Sequence, residues 1–490
     1  MYRKDWISKW AIYSPDKVAV TEYETNQSIT YKQLNSQANY LSSRFLNTGC
    51  EVNDRILVIA EHSITYVALF SMAQKTGITL VPVNYRLSAR EIEYLIADSN
   101  PSYLIAEKKF DQLIPKSTDT KLIWMEDLVQ ELASAAETPF EALDIDENHP
   151  LFILYTSGTT GYPKGAIYSH KMLFWNSVNT SQSLELTPSD HTISCMPAFH
   201  TGGWNVLLTP LLHRGASVGI MRKFDPDLLL QLLEEEKSQL FMGVPTMLKM
   251  MAESEQFEKA DLSNMRYFIV GGEALPLNVI NTWHSKGVKI RQGYGLTEVG
   301  PNLTSLHQDH AERKIGSIGL PNFYTEIRLK SSDGEDVKPG EIGELCLSGP
   351  LVTPGYWRNE KATKEAIQDG WFRTGDLAKM DNEGFLYIVD RIKCMFISGG
   401  ENVYPAEVER VLRQMPEIDE AAVVGVADTQ WGEVGKAYLT ATNGTLPDKD
   451  LITTHCVKHM AKFKIPKHIV WLEEMPKNDS GKIDRKKLKG

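Results

Sequence analysis

Along the first hundred residues, apolar positions recur with two alternating periods. Between residues 31 and 47 they return every three or four positions, which predicts a helix that ends before Gly49. Short apolar runs at 56–60, 78–83 and 102–107 predict buried strands, and helical patterns separate them. Strands that alternate with helices in this way indicate βαβ units and a largely parallel sheet.

The same alternation returns further along the chain. The segment PDLLLQLLEEEKS predicts a helix with Pro226 in its first turn, and MRYFIV predicts a strand that runs into a glycine turn. Beyond about residue 315 the pattern changes to short strands separated by turns, which indicates a smaller antiparallel subdomain. From Arg391 onward a compact α/β pattern follows. A chain of 490 residues exceeds the usual size of a single core, so we expect at least two domains.

Composition and charge narrow the class of protein. With 42% apolar and 23% charged residues the chain is typical of a globular protein, and its net charge of −11 argues against a general nucleic-acid binder. Its five cysteines form no Cys-x-x-Cys pair, which argues against a disulfide scaffold or a thiolate zinc site. No apolar run is long enough to cross a membrane, and the N-terminus lacks the apolar segment of a signal peptide. We therefore expect a reduced, cytoplasmic location.

The strongest chemical signal is the stretch YTSGTTGYPKG, residues 155–165, which follows the apolar run LFIL. Glycine backbone and hydroxyl side chains at a strand end can wrap phosphate oxygens, and Lys164 adds a positive charge. The stretch is not a Walker A loop, because Pro163 stands where that motif requires its second glycine. A flexible surface linker is the alternative, and the flanking buried strand disfavours it.

Four further stretches follow, each ambiguous by itself. QGYGLTE ends in Thr297 and Glu298, a hydroxyl and a carboxylate suited to phosphate and Mg²⁺. GWFRTGD ends at Asp376, which either forms a turn or accepts ribose hydroxyls. DRIKCMFISGGENVYPAEVE places two glycines before a predicted helix, and PKNDSGKIDR carries Lys482 in a glycine turn near the C-terminus.

The order of these stretches is specific. The chain resembles the acyl-activating, adenylate-forming enzymes over nearly its whole length, because it carries YTSGTTGYPKG, GYGLTE, GWFRTGD, DRIKCMFISGGENVYPAE and PKNDSGKI in the family order. The family includes acyl-CoA synthetases, luciferases and the adenylation domains of peptide synthetases. The resemblance implies that the chain makes an acyl-adenylate from a carboxylic acid and Mg·ATP, releases pyrophosphate, and passes the acyl group to coenzyme A.

The resemblance also implies an α/β fold with three parts. A large N-terminal adenylation domain, residues 1–389, would hold parallel α/β sheets and a small antiparallel β subdomain. A hinge at 390–393 would connect it to a small, mobile α+β C-terminal domain, residues 394–490. The family commonly forms homodimers, and the sequence leaves the oligomeric state open.

Nucleotide-binding roles follow from the resemblance, position by position. The β- and γ-phosphates would be held by residues of the first stretch: Thr156, Ser157, Gly158, Thr159, Thr160, Gly161 and Lys164. The adenine side would be lined by Gly272, Glu273, Ala274, Gln292, Gly293, Tyr294, Gly295 and Leu296. Thr297 would touch the α-phosphate and Glu298 would bind Mg²⁺. Asp376 would bind the ribose hydroxyls, with Arg391 nearby.

Lys482 matches the family's catalytic lysine. The attacking carboxylate and the α-phosphate are both anions, so a lysine that bridges them stabilises the negative charge of the transition state. A carboxylate is already ionised at neutral pH, so no general base is needed. For the second half-reaction, Lys393 matches the hinge position, and Gly399 and Gly400 would lie beside the pantetheine thiol, where absent side chains permit close approach.

The segment CMPAFHTGGWNVLLTPLL, residues 195–212, resembles one wall of the family's acyl pocket. Amino-acid-activating members carry an aspartate there, whereas this chain has Phe199 and His200, which disfavours an amino-acid substrate. His200 would gate the acyl channel, and Trp204 either shapes its depth or packs in the core. The segment is most similar to that of medium- or long-chain fatty acyl-CoA ligases.

Several alternatives stay open at this point. The substrate could instead be an aryl acid or o-succinylbenzoate, the acceptor could be a carrier protein, and the chain could bind acyl-nucleotides without turnover. One departure from the family pattern is Tyr162, which stands where the family usually has a lysine or arginine, so the phosphate loop has one charge fewer.

Overall fold

The structure is a computed structural model that describes residues 5–116, 118, 120–156, 163–272, 275–398, 401–442, 444, 446–478 and 481–489. The chain divides into two compact units. Unit 1 comprises Met1–Ile327 and Leu347–Phe372, and unit 2 comprises Arg328–Cys346 and Arg373–Gly490. The domain boundary expected at 390–393 stays a prediction.

The helices and strands follow the alternation that the apolar pattern predicts. The helices are α1 Trp6–Tyr13, α2 Tyr31–Asn47, α3 Ile64–Thr76, α4 Ala89–Ser99, α5 Met125–Ser134, α6 His170–Ser183, α7 Thr201–Asn205, α8 Leu208–Arg214, α9 Pro226–Glu235, α10 Pro245–Ala252, α11 Leu277–Ser285, α12 Glu360–Ala366, α13 Pro405–Leu412, α14 Lys449–His459 and α15 Arg485–Lys489. The strands are β1 Val18–Glu22, β2 Gln27–Thr30, β3 Arg55–Ile59, β4 Thr79–Pro82, β5 Tyr103–Ala106, β6 Lys121–Trp124, β7 Pro150–Thr156, β8 Lys164–Ser169, β9 His191–Ser194, β10 Ser217–Ile220, β11 Leu240–Gly243, β12 Tyr267–Val270, β13 Ile290–Leu296, β14 Gly300–Leu306, β15 Leu320–Pro321, β16 Glu326–Lys330, β17 Ile342–Ser348, β18 Ile367–Gln368, β19 Trp371–Met380, β20 Leu386–Arg391, β21 Phe396–Ser398, β22 Glu401–Val403, β23 Ile418–Asp428, β24 Gly432–Ala441 and β25 His468–Trp471.

Two sheets of unit 1 carry the predicted parallel pairing. One has the order β15-β14-β13-β12-β11-β9-β10-β1-β2. Within it, every pair of neighbouring strands between β13 and β1 is parallel. The other has the order β6-β5-β3-β4-β7-β8 and is parallel from β6 to β7. The α/β fold class is therefore confirmed. The pair β7–β8 is antiparallel, because the short connection between these strands can only reverse the chain.

Sequence signals account for the helix ends. The side chain of Ser88 accepts from the backbone N–H of Glu91, whose carboxylate accepts from the backbone N–H of Ser88, so a capping box opens α4. Pro226 opens α9 as predicted. The chain after α2 turns at Gly49, which has φ 91°, the left-handed region that favours glycine.

The antiparallel subdomain predicted beyond residue 315 is a five-stranded sheet with the order β16-β17-β19-β18 and with β20 paired to β19. In unit 2 a further sheet has the order β22-β21-β24-β23, with β25 paired to β24. The helices α13 and α14 cover an apolar core there that includes Val408, Leu412, Ile452 and Cys456. Within the described residues, no helix is long and apolar enough to cross a membrane.

Candidate active site

The hairpin of β13 and β14 carries the GYGLTE stretch. The turn between the two strands is a single turn of 3₁₀ helix, Thr297–Val299, which places Glu298 at the tip. Gly295 is required just before the tip, because a Cβ there would lie 2.3 Å from the backbone of Pro301 on the facing strand. The hairpin therefore folds tightly and places the carboxylate of Glu298 at the ends of β13 and β14.

Three groups hold Glu298 in unit 1. The phenol of Tyr356 donates to Glu298 Oε1 at 2.9 Å, and Thr156 Oγ1 lies 3.5 Å from the same oxygen. The backbone N–H of Thr353 donates to the carbonyl oxygen of Glu298 at 2.8 Å. Both side-chain contacts are to Oε1, so Oε2 is the oxygen to which neither hydroxyl donates.

Tyr356 reaches this position because its segment joins the edge of β8. The backbone N–H of Ile167 donates to Gly355 O at 3.1 Å, and that of Trp357 donates to Gly165 O at 2.7 Å. The ring of Tyr356 lies under the ammonium of Lys164, 5.4 Å from Nζ to the ring centroid. Burial and the charge of Glu298 raise the pKa of Tyr356, so its phenol is protonated at neutral pH.

A single carboxylate of this kind fits Mg²⁺ that is bound mainly through phosphate. Mg²⁺ commonly takes one or two protein carboxylates and completes its shell with water and substrate phosphates. Among the described residues, no group of three or more His, Cys, Asp or Glu side chains is arranged to hold a metal ion. Glu298, half-buried beside the hydroxyls of Thr156 and Tyr356, is the carboxylate that suits such an ion.

The residues predicted for the adenine side lie on neighbouring strand ends. Gly272 follows β12 with φ 91°, and Gln292 lies on β13, which pairs with β12 through Val270. Gln292 is 6% exposed; its Oε1 accepts from the backbone N–H of Leu275 at 3.2 Å. Its Nε2 has no hydrogen-bond partner among the described residues. A buried amide donor in that state suits an acceptor nitrogen of a purine ring. Gly293, Tyr294 and Leu296 continue the same strand and are partly exposed.

The predicted acyl wall divides into an exposed and a buried part. His200 is partly exposed and its ring lies 4.6 Å from that of Phe199, centroid to centroid. A Cβ on Gly202 would lie 3.7 Å from Met242 Cε and 4.0 Å from Met196 Cε. The ends of two methionines therefore border the backbone just after His200.

Trp204 lies in the core. It is fully buried, and its indole N–H donates to Ala198 O at 2.7 Å. Its ring is packed against those of His62, Tyr66, Phe70 and Phe152, with centroid distances of 4.5 to 5.5 Å. Of the two interpretations that the sequence allowed for Trp204, these contacts favour core packing.

In unit 2, Asp376 and Arg391 face each other on β19 and β20. They are register partners, and Arg391 Nε lies 2.9 Å from Asp376 Oδ1. Asp376 is 3% exposed, whereas about half of the Arg391 side chain is exposed. Lys393 follows β20, and partial burial, together with the charge of Arg391, lowers its pKa. Asp376 and Arg391 are thus already adjacent, as the ribose prediction requires.

Lys482 lies on an exposed turn whose flanks are anchored. Its backbone N–H donates to Asn478 Oδ1 at 3.0 Å, and its carbonyl accepts from the backbone N–H of Asn478 at 2.7 Å. On the far side, Arg485 donates to Glu409 Oε2 at 2.9 Å and to Val423 O at 3.0 Å. The backbone of Lys482 is therefore held within unit 2, and the residue is exposed.

Part of the predicted site lies outside the described residues. This applies to members of the phosphate loop, the adenine side and the pantetheine contact: Ser157, Gly158, Thr159, Thr160, Gly161, Glu273, Ala274, Gly399 and Gly400. The departure at Tyr162 is also outside them. Sequence reasoning missed Tyr356 and Thr353, which contact Glu298 from the segment VTPGYW. The turn residues before an isolated tyrosine were the available signal, and they do not reveal its partner.

Two family models match the chain over the regions that contain these groups. The AMP-binding enzyme model matches residues 7–357, and the model of the AMP-binding enzyme C-terminal domain matches residues 407–482. The chain belongs to the AMP-binding enzyme family. The first match contains Thr156, Lys164 and Glu298, and the second ends at Lys482.

Individual relatives agree with this family assignment. The chain is 35% identical to a feruloyl-CoA synthase of an Amycolatopsis species over 98% of this chain and 96% of the relative. It is 34% identical to the long-chain-fatty-acid–CoA ligase FadD13 of Mycobacterium tuberculosis, over 96% and 95%. The o-succinylbenzoate coenzyme A synthetase MenE of Bacillus subtilis, solved with ATP and a magnesium ion, is 29% identical with a TM-score of 0.89, and the match covers 99% of both chains.

The activity follows at the level that these relatives share. This AMP-binding enzyme is an ATP-dependent, AMP-forming acid–thiol ligase of the acyl- and aryl-CoA ligase type. Enzymes of this type use ATP, Mg²⁺ and coenzyme A with a carboxylic acid.

Proposed function

We propose that this AMP-binding enzyme is a CoA ligase for a medium- or long-chain fatty acid. The observation that carries the proposal is the pair of methionine ends, Met196 and Met242, beside Gly202. Methionine side chains are unbranched and adaptable, so they suit a long, flexible hydrocarbon better than one rigid ring. The long-chain-fatty-acid–CoA ligase at 34% identity supports the same substrate class.

In the first half-reaction, this chain's residues would hold two anions together. Lys164 would bind the terminal phosphates and Thr297 the α-phosphate, while Asp376 would hold the ribose. Lys482 would place its ammonium between the carboxylate oxygen and the α-phosphate oxygens, where negative charge builds in the transition state. Mg²⁺ at Glu298 would neutralise phosphate charge when bound. The carboxylate would attack the α-phosphorus and pyrophosphate would leave.

In the second half-reaction, the thiol of coenzyme A would replace AMP on the acyl carbon. Gly399 and Gly400 would border the pantetheine, and Lys393 would mark the hinge about which the C-terminal part moves. Free coenzyme A is the proposed acceptor, and a carrier-protein phosphopantetheine is the alternative. His200 would gate the acyl channel next to the reacting carboxylate.

An aryl or o-succinylbenzoate substrate is the second candidate. The feruloyl-CoA synthase at 35% identity favours an aryl acid, and the partly exposed ring of His200, 4.6 Å from that of Phe199, offers an aromatic surface for stacking. A homodimer and a cytoplasmic location stay predictions from the sequence.

The test is CoA-thioester formation measured by mass spectrometry, with saturated fatty acids of increasing length and with ferulate, indoleacetate and o-succinylbenzoate. The proposal expects the highest kcat/KM with a medium- or long-chain fatty acid. A higher kcat/KM for one of the aryl acids would reject the fatty-acid assignment and favour the second candidate.

A variant pair tests the methionine argument separately. Met242→Phe should move the preferred fatty acid towards shorter chains, because the larger ring shortens the space beside Gly202. Met250→Phe is the matched control, since Met250 is 48% exposed on α10. An unchanged length profile in Met242→Phe would contradict the placement of the acyl chain.

A further inference from the structure

Tyr356 offers two different contacts to the candidate site, one through its hydroxyl and one through its ring. The hydroxyl donates to Glu298 Oε1 at 2.9 Å, and the ring face lies 5.4 Å from Lys164 Nζ. Glu298 and Lys164 carry opposite charges and belong to different sheets, one on the β13–β14 hairpin and the other at the start of β8. One side chain therefore fixes both charged groups.

We propose that Tyr356 is a positioning residue that orients the Glu298 carboxylate towards Mg²⁺ through its hydroxyl and holds Lys164 through its ring. The proposal rests on the proposed function, in which Glu298 binds Mg²⁺ and Lys164 binds phosphate. Its geometric basis is independent of that function, because every contact is within unit 1.

The hydroxyl orients the carboxylate by occupying one of its two oxygens. Tyr356 and Thr156 both contact Oε1, which turns Oε2 away from these donors. A carboxylate that is already hydrogen-bonded on one oxygen loses less rotational freedom when its other oxygen binds a cation. Removal of the hydroxyl should therefore weaken the binding of metal and leave metal-free ATP binding unchanged.

The backbone around Tyr356 makes this contact rigid. The hydroxyl oxygen of Thr353, which is 2% exposed, lies 2.6 Å from Ile167 O and 2.9 Å from Gly355 O, and these two carbonyl oxygens share its single proton. On the other side, the backbone N–H of Tyr356 donates to Thr363 Oγ1 at 2.9 Å. The segment is thus bound to β8 and to α12, so the phenol is held in place before any ligand arrives.

The experiment is a titration of the full-length chain with α,β-methylene-ATP by calorimetry, once with excess Mg²⁺ and once with EDTA. For Tyr356→Phe, the affinity in Mg²⁺ should fall about tenfold while the affinity in EDTA stays the same, because only a hydrogen bond to a charged group is lost. For Tyr356→Leu, the affinity in EDTA should fall as well, because Lys164 loses its ring contact.

Tyr155→Phe is the matched control. Tyr155 lies on β7 and also donates to a carboxylate, Asp98 Oδ2, at 2.5 Å, but its side chain and that of the next residue, Thr156, point to opposite faces of the strand. The affinity of the Tyr155→Phe variant for α,β-methylene-ATP should equal that of the unaltered chain, both with Mg²⁺ and with EDTA. An equal loss of Mg²⁺-dependent affinity in Tyr155→Phe and Tyr356→Phe would show a general structural effect and overturn the proposal.

A double variant connects the effect to Glu298. In a Glu298→Gln background, Tyr356→Phe should cause no further loss of Mg²⁺-dependent affinity, because the carboxylate it orients is gone. A further loss equal to that of the single variant would overturn the proposal. These are binding measurements without an acid substrate, so they are distinguishable from failure of the ligase assignment, which appears as absent thioester formation.

Discussion

Two regions of unit 1 make opposite use of residues that the sequence singled out. Around Glu298, half-buried polar groups from separate segments meet at strand ends, and Tyr356 and Thr156 fix a carboxylate. Around Trp204, aromatic rings fill a fully buried interior, and the indole N–H is satisfied by Ala198 O. The first region has charge to offer a ligand, whereas the second offers only packing. Position within a family motif therefore does not by itself place a side chain in the site.

Trp204→Ala should have the largest effect and should act on stability. The loss of a fully buried aromatic side chain leaves a cavity among Phe70, Phe152 and Tyr66, which costs about 3–5 kcal/mol of unfolding free energy. Urea denaturation followed by tryptophan fluorescence measures it, with Trp175→Phe as a control for the lost signal. A stable Trp204→Ala protein with an altered acyl-length profile would instead place Trp204 in the acyl wall.

Glu298→Gln should lower activity and leave stability nearly unchanged. The amide keeps the shape of the side chain but loses the charge that Mg²⁺ requires, so acid-dependent pyrophosphate exchange should fall by about 100-fold or more. The melting temperature should stay close to that of the unaltered chain, since the carboxylate is only half-buried. Exchange within a few-fold of the original would remove Glu298 from the metal site.

Thr353→Val tests the residues that support the surroundings of Glu298. We expect smaller changes in stability and activity than those of the two preceding variants. The buried hydroxyl shares its proton between two carbonyl oxygens, one of the segment and one of β8, so its loss should cost about 1–3 kcal/mol of unfolding free energy. Because Tyr356 is carried on the same segment, the KM for Mg·ATP should also rise. Thr282→Val is a control, since the exposed Thr282 hydroxyl bonds only within α11. A KM unchanged in both variants would separate Thr353 from the site.

The smallest predicted effect is a pH dependence of the aromatic interior. Burial lowers the pKa of His62 to about 3. In the unfolded chain His62 titrates near its ordinary value of 6.5, so unfolding takes up a proton between pH 6.5 and 3. The contribution of His62 to stability is complete above pH 6.5 and falls by up to about 1.4 kcal/mol per pH unit below it. Urea denaturation at several pH values from 7 to 5 gives the slope of the unfolding free energy against pH. In His62→Phe this slope should correspond to up to about one proton fewer taken up on unfolding than in the unaltered chain. Equal slopes would contradict a neutral His62.

Local patterns in the sequence predicted many of the helices and strands, but few of the pairings and side-chain contacts between distant segments. The period of apolar positions predicted α2 with its end before Gly49, because caps and periodicity are local. The antiparallel pairing of β7 with β8 was not predicted, because the alternation of apolar runs with helical patterns indicates a parallel sheet and does not mark this exception. The contact between Glu298 and Tyr356 joins residues 58 positions apart, and no local pattern marks such a pair.

The candidate site shows the same division. The motifs named Thr156, Lys164, Gln292 and Glu298, which lie on or between strands of unit 1. They did not name Tyr356 and Thr353, which hold Glu298 in place together with Thr156, because these two residues act through shape and hydrogen bonding and carry no distinctive composition. They left Trp204 undecided between wall and core, since burial depends on long-range packing against rings such as that of Phe70.

The most direct test of the account is acid-dependent exchange of labelled pyrophosphate into ATP, compared between the unaltered chain and Lys482→Ala. We expect exchange in the unaltered chain with its preferred acid and a fall of about 100-fold or more in Lys482→Ala, with ATP binding retained. Exchange at the original rate in Lys482→Ala would contradict the assignment of Lys482 as the group that stabilises the transition state.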